Sequence, residues 1–150
     1  MMRRGAENWL YVIIAGSLLG FLAWENTCPV VISAQADEWA VEGDKIYAHV
    51  TGTKIRQCTF IANSPAGYAL HKGMIAKTGF QYLKDPKPGS SRPIGKNDFG
   101  IWLWTDLSDS APDALEVTVE HRCLWTDIQT RMGPFVVPDD IRAKFKGRSE

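Results

Sequence analysis

Apolar residues follow two regimes along this chain. From Trp9 to Trp24 they run without a charge, as WLYVIIAGSLLGFLAW; beyond residue 44 they come in short alternating pieces. An uninterrupted run is helix material, and sixteen residues make ~24 Å of helix against a hydrocarbon core of ~30 Å. Extension from Asn8 to Thr27 adds length with polar ends, and Trp9, Tyr11 and Trp24 lie at the edges, where amphipathic rings favour a membrane interface. Pro29 stops the helix, because the residue before a proline avoids the helical region. Arg3 and Arg4 place the N-terminus on the cytoplasmic side and everything after residue 27 outside. Residues 1–28 therefore read as a cytoplasmic stub and transmembrane signal-anchor helix, and 29–44 as a linker. Membrane lipid is the partner expected of residues 9–24.

The same run also fits the h-region of a cleavable signal peptide, with MMRR before it and Ala34-Gln35-Ala36 as an A-x-A site. That site lies twelve residues beyond Trp24, across Glu25, Asn26 and Pro29, a long reach from a membrane-held segment. Cleavage would remove Cys28 and leave an even pair of cysteines. Either way the domain that follows is extracytoplasmic, in a periplasm or on a cell or virion surface. If the helix stays, Gly16 and Gly20 make a G-x-x-x-G face suited to close helix packing, and Cys28 emerges on the same side. A homodimer with an intermolecular Cys28 disulfide is the corresponding candidate, although the bulk of Trp24 on that face opposes close approach. A lipid on Cys28 is excluded by the polar Glu25-Asn26-Thr27 before it.

In the outer part, KIYAHVT (45–51) alternates with period two, and KIRQCTFIA (54–62) follows a Thr-Gly-Thr turn. Asn63 to Gly67 is a loop signal, 68–83 is indistinct, and three prolines and two glycines in 84–98 exclude a regular element there. FGIWLWT (99–105) is apolar on both faces. In 114–125, Leu115, Val117, Val119, His121 and Cys123 point one way and Glu116, Thr118, Glu120 and Arg122 the other. MGPFVVP (132–138) closes the domain as an edge strand. Short strands at regular spacing with no long amphipathic helix predict an all-β antiparallel sandwich over 45–138, followed by a basic C-terminal tail, 139–150. Arg142, Lys144, Lys146 and Arg148 give that tail its charge, and a solvated tail is the plain reading.

Charge removes one class of partner. The chain has 17 basic and 17 acidic side chains, two of each before residue 37, so the domain itself is neutral and lacks the footprint of a nucleic-acid binder. Three cysteines lie outside the cytoplasm on this reading. Cys58 and Cys123 both fall on core faces and predict a disulfide between two sheets, contributing ~4 kcal/mol by loop entropy. Their spacing resembles the inter-sheet cysteines of immunoglobulin domains, which implies an Ig-like architecture. No tryptophan follows Cys58 closely, and Trp102 comes too late for that family's core position. The layout, with Arg92-Pro93-Ile94-Gly95 ahead of Phe99-Gly100-Ile101-Trp102, also resembles small membrane-anchored β-domain proteins of bacteriophage and bacteria. That resemblance implies no activity.

Candidate chemistry is sparse. His121 and Cys123 share one inward face, but the spacing offers no metal-ligand motif and a disulfide consumes the thiol, so a core histidine is expected and no metal or cofactor. His49 and His71 have no partner visible in the sequence. Trp102 and Trp104 project from one face of their strand; with Lys87, Arg92 and Lys96 of the neighbouring loop they form the candidate interaction surface, unless the loop covers them. No Ser-His-Asp order, carboxylate pair, Walker loop or G-x-G-x-x-G is present, so no catalytic residue is assigned. The sequence reads as a non-enzymatic, membrane-anchored accessory or adaptor subunit that presents its domain to a larger membrane or envelope protein. The alternatives are a secreted glycan- or envelope-polymer-binding module with a mature N-terminus near Asp37, and a small envelope enzyme whose site would involve His121.

Overall fold

A computed structural model of the chain describes residues 3–83 and 92–147. One helix leads, α1 (Arg3–Thr27), followed by eight strands and a short closing helix. The strands are β1 (Val31–Glu42), β2 (Lys45–Lys54), β3 (Thr59–Phe60), β4 (Ala66–His71), β5 (Met74–Tyr82), β6 (Gly95–Thr105), β7 (Ala114–Arg122) and β8 (Asp127–Val136), and the last helix is α2 (Asp139–Lys144). All pairings are antiparallel.

The strands form one curled sheet in the order β1-β2-β6-β5-β4-β7, with β8 on the far edge of β7 and β3 continuing the line of β4. β8 returns beside β1, where the Val30 N–H donates to Thr130 Oγ1 at 3.2 Å, so the sheet nearly closes on itself. This corrects the two-sheet, Ig-like sandwich: the antiparallel β class holds, but the core is the inside of one curled sheet. Curling shields the edges that a flat sheet leaves open to other chains.

Hairpins set the register. Lys72 (φ 48°) and Gly73 (φ 81°) turn His71 onto Met74 with both central residues left-handed, the geometry whose twist matches paired strands. The β4–β5 hairpin was illegible in the sequence because Met74, Ile75, Ala76 and Lys77 are all exposed, which erases the alternation. The expected linker 29–44 contains β1, and Val30 and Val31 are buried in the core. The expected strand 54–62 is reduced to Thr59–Phe60, while the expected loop 84–98 ends in the first residues of β6. The C-terminal segment is docked rather than solvated: Ile141 is buried, Phe145 packs on the core, and Arg142 pairs with Asp113 at 2.7 Å. Arg148 lies outside the described residues.

β7 carries the expected alternation, with Leu115, Val117, Val119, His121 and Cys123 all buried. Glu116, on its outer face, is buried as well, held by both Arg131 Nε (2.6 Å) and Arg131 Nη2. Trp102 and Trp104 are 1% and 0% exposed and lie at the centre of an aromatic cluster with Phe80, Tyr82 and Phe135. Each indole N–H finds a carbonyl, Trp102 at Phe99 and Trp104 at Glu116, which makes burial of these polar tips affordable. The expected exposed tryptophan strip is thereby overturned, since curling turned that face inward.

The disulfide joins Cys58 and Cys123 as expected, but across neighbouring strands. Thr59 pairs with Arg122 and Phe60 with His121, so Cys58 stands opposite Cys123, with Cα atoms 4.5 Å apart. It staples β3 to the end of β7 within the one sheet that the described residues form.

Candidate functional site

Antiparallel order brings six chain points to one end of the barrel: the end of α1, the end of β2, the start of β6, the ends of β5 and β7, and the start of β8. Four features gather there.

The first is a joint between α1 and the barrel. Arg56, just past β2 and 7% exposed, places Nη2 2.6 Å from Glu25 Oε2, while its Nη1 donates to the carbonyls of Cys28 (3.0 Å) and Glu25 (3.2 Å). A buried guanidinium is tolerated only when its donors are satisfied in this way. Cys28 is a free, half-buried cysteine whose carbonyl serves the joint. Farther along α1, Gly16 and Gly20 face open space, and Trp9, Tyr11, Ile13, Leu19 and Trp24 are exposed. Among the described residues no helix is long and apolar enough to cross a membrane. The expected transmembrane segment is a helix, α1, of 25 residues, but not one apolar enough for a membrane span.

The second is a cavity of about 50 Å³, open on one side, at the mouth of the barrel. Lys54, Arg92 and His121 line it together with Phe60, Tyr82 and Trp102. Lys54 Nζ donates to the carbonyls of Cys58 (2.9 Å) and Arg92 (2.8 Å). The Arg92 guanidinium lies 5.1 Å from the Phe99 ring centroid and donates to Asp98 O. Burial, and then the charge of Arg92, pull the Lys54 ammonium below its ordinary value. Burial, and then the charge of Lys54, pull His121 down to about 4, so the imidazole is neutral at pH 7. His121 Nδ1 is buried without a hydrogen-bond partner among the described residues.

The third is a shallow polar groove of about 490 Å³ bordered by Ser33, Gln35, Thr51, Lys96 and Asp98. Beside it His49 bridges three strands: Nδ1 lies 3.0 Å from Asp37 Oδ1 and Nε2 2.8 Å from Asp98 Oδ1. Carboxylates only accept, so both ring nitrogens must carry protons, and the imidazolium is the favoured form. The hydrogen bond to Asp37, then that to Asp98, raises the His49 pKa against a partial burial penalty. Asp98 is held below the usual carboxylate range, first by the Gly100 N–H and then by His49. Sequence reasoning missed this bridge because the two aspartates lie 12 and 49 residues away on other strands.

The fourth is an apolar rim. Leu124 and Trp125, in the β7–β8 turn, and Ile94, just before β6, are 76%, 73% and 60% exposed.

Of the expected interaction surface, Lys96 borders the groove, Arg92 lines the cavity, Trp102 and Trp104 are in the core, and Lys87 lies outside the described residues. Cys58 and Cys123 are bonded to each other, so no Cys–His nucleophile exists at His121. Among the described residues no group of three or more His, Cys, Asp or Glu side chains is placed to hold a metal ion. No family model, curated protein or solved structure matches this chain.

Proposed function

We propose that this chain is a non-enzymatic accessory domain held outside the cytoplasm at a membrane surface, where it presents the barrel to a larger membrane or envelope protein. The joint at Arg56 carries the reading. A buried arginine that ties Glu25 and Cys28 to the barrel couples the apolar helix to the folded domain. The apolar side chains of α1 from Trp9 to Trp24 are exposed among the described residues, and Ile94, Leu124 and Trp125 expose apolar surface at the same barrel end. Tryptophan and leucine there suit a bilayer interface. The Cys58–Cys123 bond fits an oxidising compartment.

Cleavage after Ala36 fits the architecture poorly. It would take Val30 and Val31 out of the core and remove the β1 pairings of Val31, Ile32, Gln35 and Ala36 with β2. The secreted-module alternative therefore requires a barrel that has lost half of a strand. The test is intact mass and alkaline extraction of protein taken from native membranes. A membrane-retained chain beginning at its own N-terminus and lacking two hydrogens supports the reading. A mature terminus near Asp37, or full release by alkali, overturns it.

A further inference from the structure

From the unpaired outer edge of β5 at Met74–Thr78, we infer a docking site for an extended, acidic segment of a partner protein, added to the barrel as one more strand. β4 pairs with all of Met74–Thr78 on one side, whereas on the other side β6 pairs only with Gly79–Tyr82. β6 stops there because Asp106, next after Thr105, takes a left-handed φ of 54° and Leu107 turns into the core. The hairpin fixes which backbone groups face the gap. His71 and Met74 flank a two-residue turn and form its hydrogen-bonded pair, so Ile75 and Lys77 turn their N–H and C=O groups away from β4. The same odd-numbered series faces β6 farther along, where the Leu83 N–H donates to Ile101 O at 2.9 Å. Ile75 and Lys77 thus present two donors and two acceptors, which no backbone group reaches among the described residues. Such an edge is a template for an added strand.

The side chains select the occupant. Met74, Ile75, Ala76 and Lys77 are all exposed, Met74 and Ile75 by 68% and 58%. Ile75 and Lys77 share one face, and Met74 and Ala76 the other. Among the described residues Lys77 has no ion pair. A lysine on a bare edge discourages indiscriminate pairing, but opposite a carboxylate it stabilises the pair. The occupant therefore carries an acidic residue opposite Lys77 and, two places along, an apolar one opposite Ile75. Lys72, exposed at the turn, adds positive charge beside the edge. A second copy of this chain fits less well. Antiparallel pairing centred on Ala76 would set the copy's Gly73 opposite Gly79, a place that Thr105 already holds. A five-residue strand from each copy is also far below the ~20–30 residues a side of a stable interface. The site rests on the accessory reading for there being a partner at all. The edge itself does not depend on what α1 contacts, because β5 begins at the barrel end away from α1.

The test titrates the full chain in neutral detergent with the end-capped peptide Thr-Glu-Val-Val-Thr, and with its analogue carrying Lys in place of Glu. The backbone amide resonances of Ile75 and Lys77 report binding. The Glu peptide is expected to shift both saturably, and the Lys peptide to bind roughly fivefold more weakly, the upper scale of a cross-strand charge pair. Lys77→Glu is expected to reverse that preference. Ile75→Pro deletes an N–H that the β4 ladder does not use, so the variant should fold and lose the peptide, read at Lys77. If it does not fold, the reversal in Lys77→Glu decides. No shift with the Glu peptide, equal affinity for both peptides, or full binding by folded Ile75→Pro would each overturn the site. Shifts of the same amides on raising protein concentration without peptide would assign the edge to a second copy and overturn the proposed occupant. Membrane retention has no bearing on any of these readouts, so failure of the membrane reading is seen separately.

Discussion

Replacing His121 with phenylalanine should remove a specific acid sensitivity. In the folded chain His121 titrates at about 4, because burial and the neighbouring Lys54 charge oppose its protonation. In the unfolded chain it titrates near 6.5. Between these values the unfolded state binds the extra proton, so stability falls as pH falls from 6.5 toward 4 and is unaffected above that window. The full shift corresponds to ~3 kcal/mol, and the part traversed between pH 7 and pH 5 to about 2 kcal/mol. The groups that share the cavity with the ring are Lys54 and Arg92, and Phe60 packs edge to face on it. Asp98, Asp113 and Asp127 are all held below 3.8, so stopping at pH 5 leaves them ionised. His49 works in the opposite direction, but it is present in both proteins and cancels. The assay is urea unfolding in neutral detergent at both pH values, followed by the fluorescence of the buried Trp102 and Trp104. His121→Phe should lose about 2 kcal/mol less than the wild type between pH 7 and pH 5. At pH 7 it should be no less stable, since it removes an unpartnered buried nitrogen. Equal losses in the two proteins would show that the folded imidazole protonates near its ordinary value, and its burial beside the Lys54 charge would be refuted.

His49→Gln should reverse that dependence. The raised folded pKa makes the bridge to Asp37 and Asp98 fully stabilising below 6.5 and weaker as pH rises through the folded value, so the variant's deficit should be largest at pH 5.5 and smallest at pH 9 in parallel unfolding curves. Joint replacement of Cys58 and Cys123 by alanine should cost ~4 kcal/mol of unfolding free energy, from release of a 65-residue loop, and the parent in reductant should match it. Arg56→Met strands the Glu25 carboxylate and should cost ~3–5 kcal/mol while raising protease sensitivity between residues 25 and 31; an unchanged cleavage pattern would count against a fixed joint. Trp125→Ser should leave the melting temperature unchanged, because the side chain is exposed, yet weaken binding to lipid vesicles.

Local pattern was enough for part of this protein. The uncharged run before Glu25 is a helix, the alternation from Leu115 to Cys123 is a strand with that face buried, and the two inward cysteines are bonded to each other. Each of these depends on neighbours a few residues apart, or on whether a side chain faces inward, and both are written in the order of residues. The rest depended on which strands became neighbours. β5 shows no alternation because its first half is exposed, so the β4–β5 hairpin, and with it the insertion of β5 between β4 and β6, could not be read. Without that insertion there was no reason to curl the sheet. Only curling puts Trp102 and Trp104 inside and makes the disulfide a staple between adjacent strands. The charged groups were hidden for the same reason. Alternation puts Glu116 on the outer face and nothing local marks Lys54 or Arg56 as buried; their burial is tolerated only when the Cys58 carbonyl, Glu25 and Arg131 arrive from elsewhere in the chain. Periodicity determines which way a side chain points; the pairing of remote strands decides what it meets there.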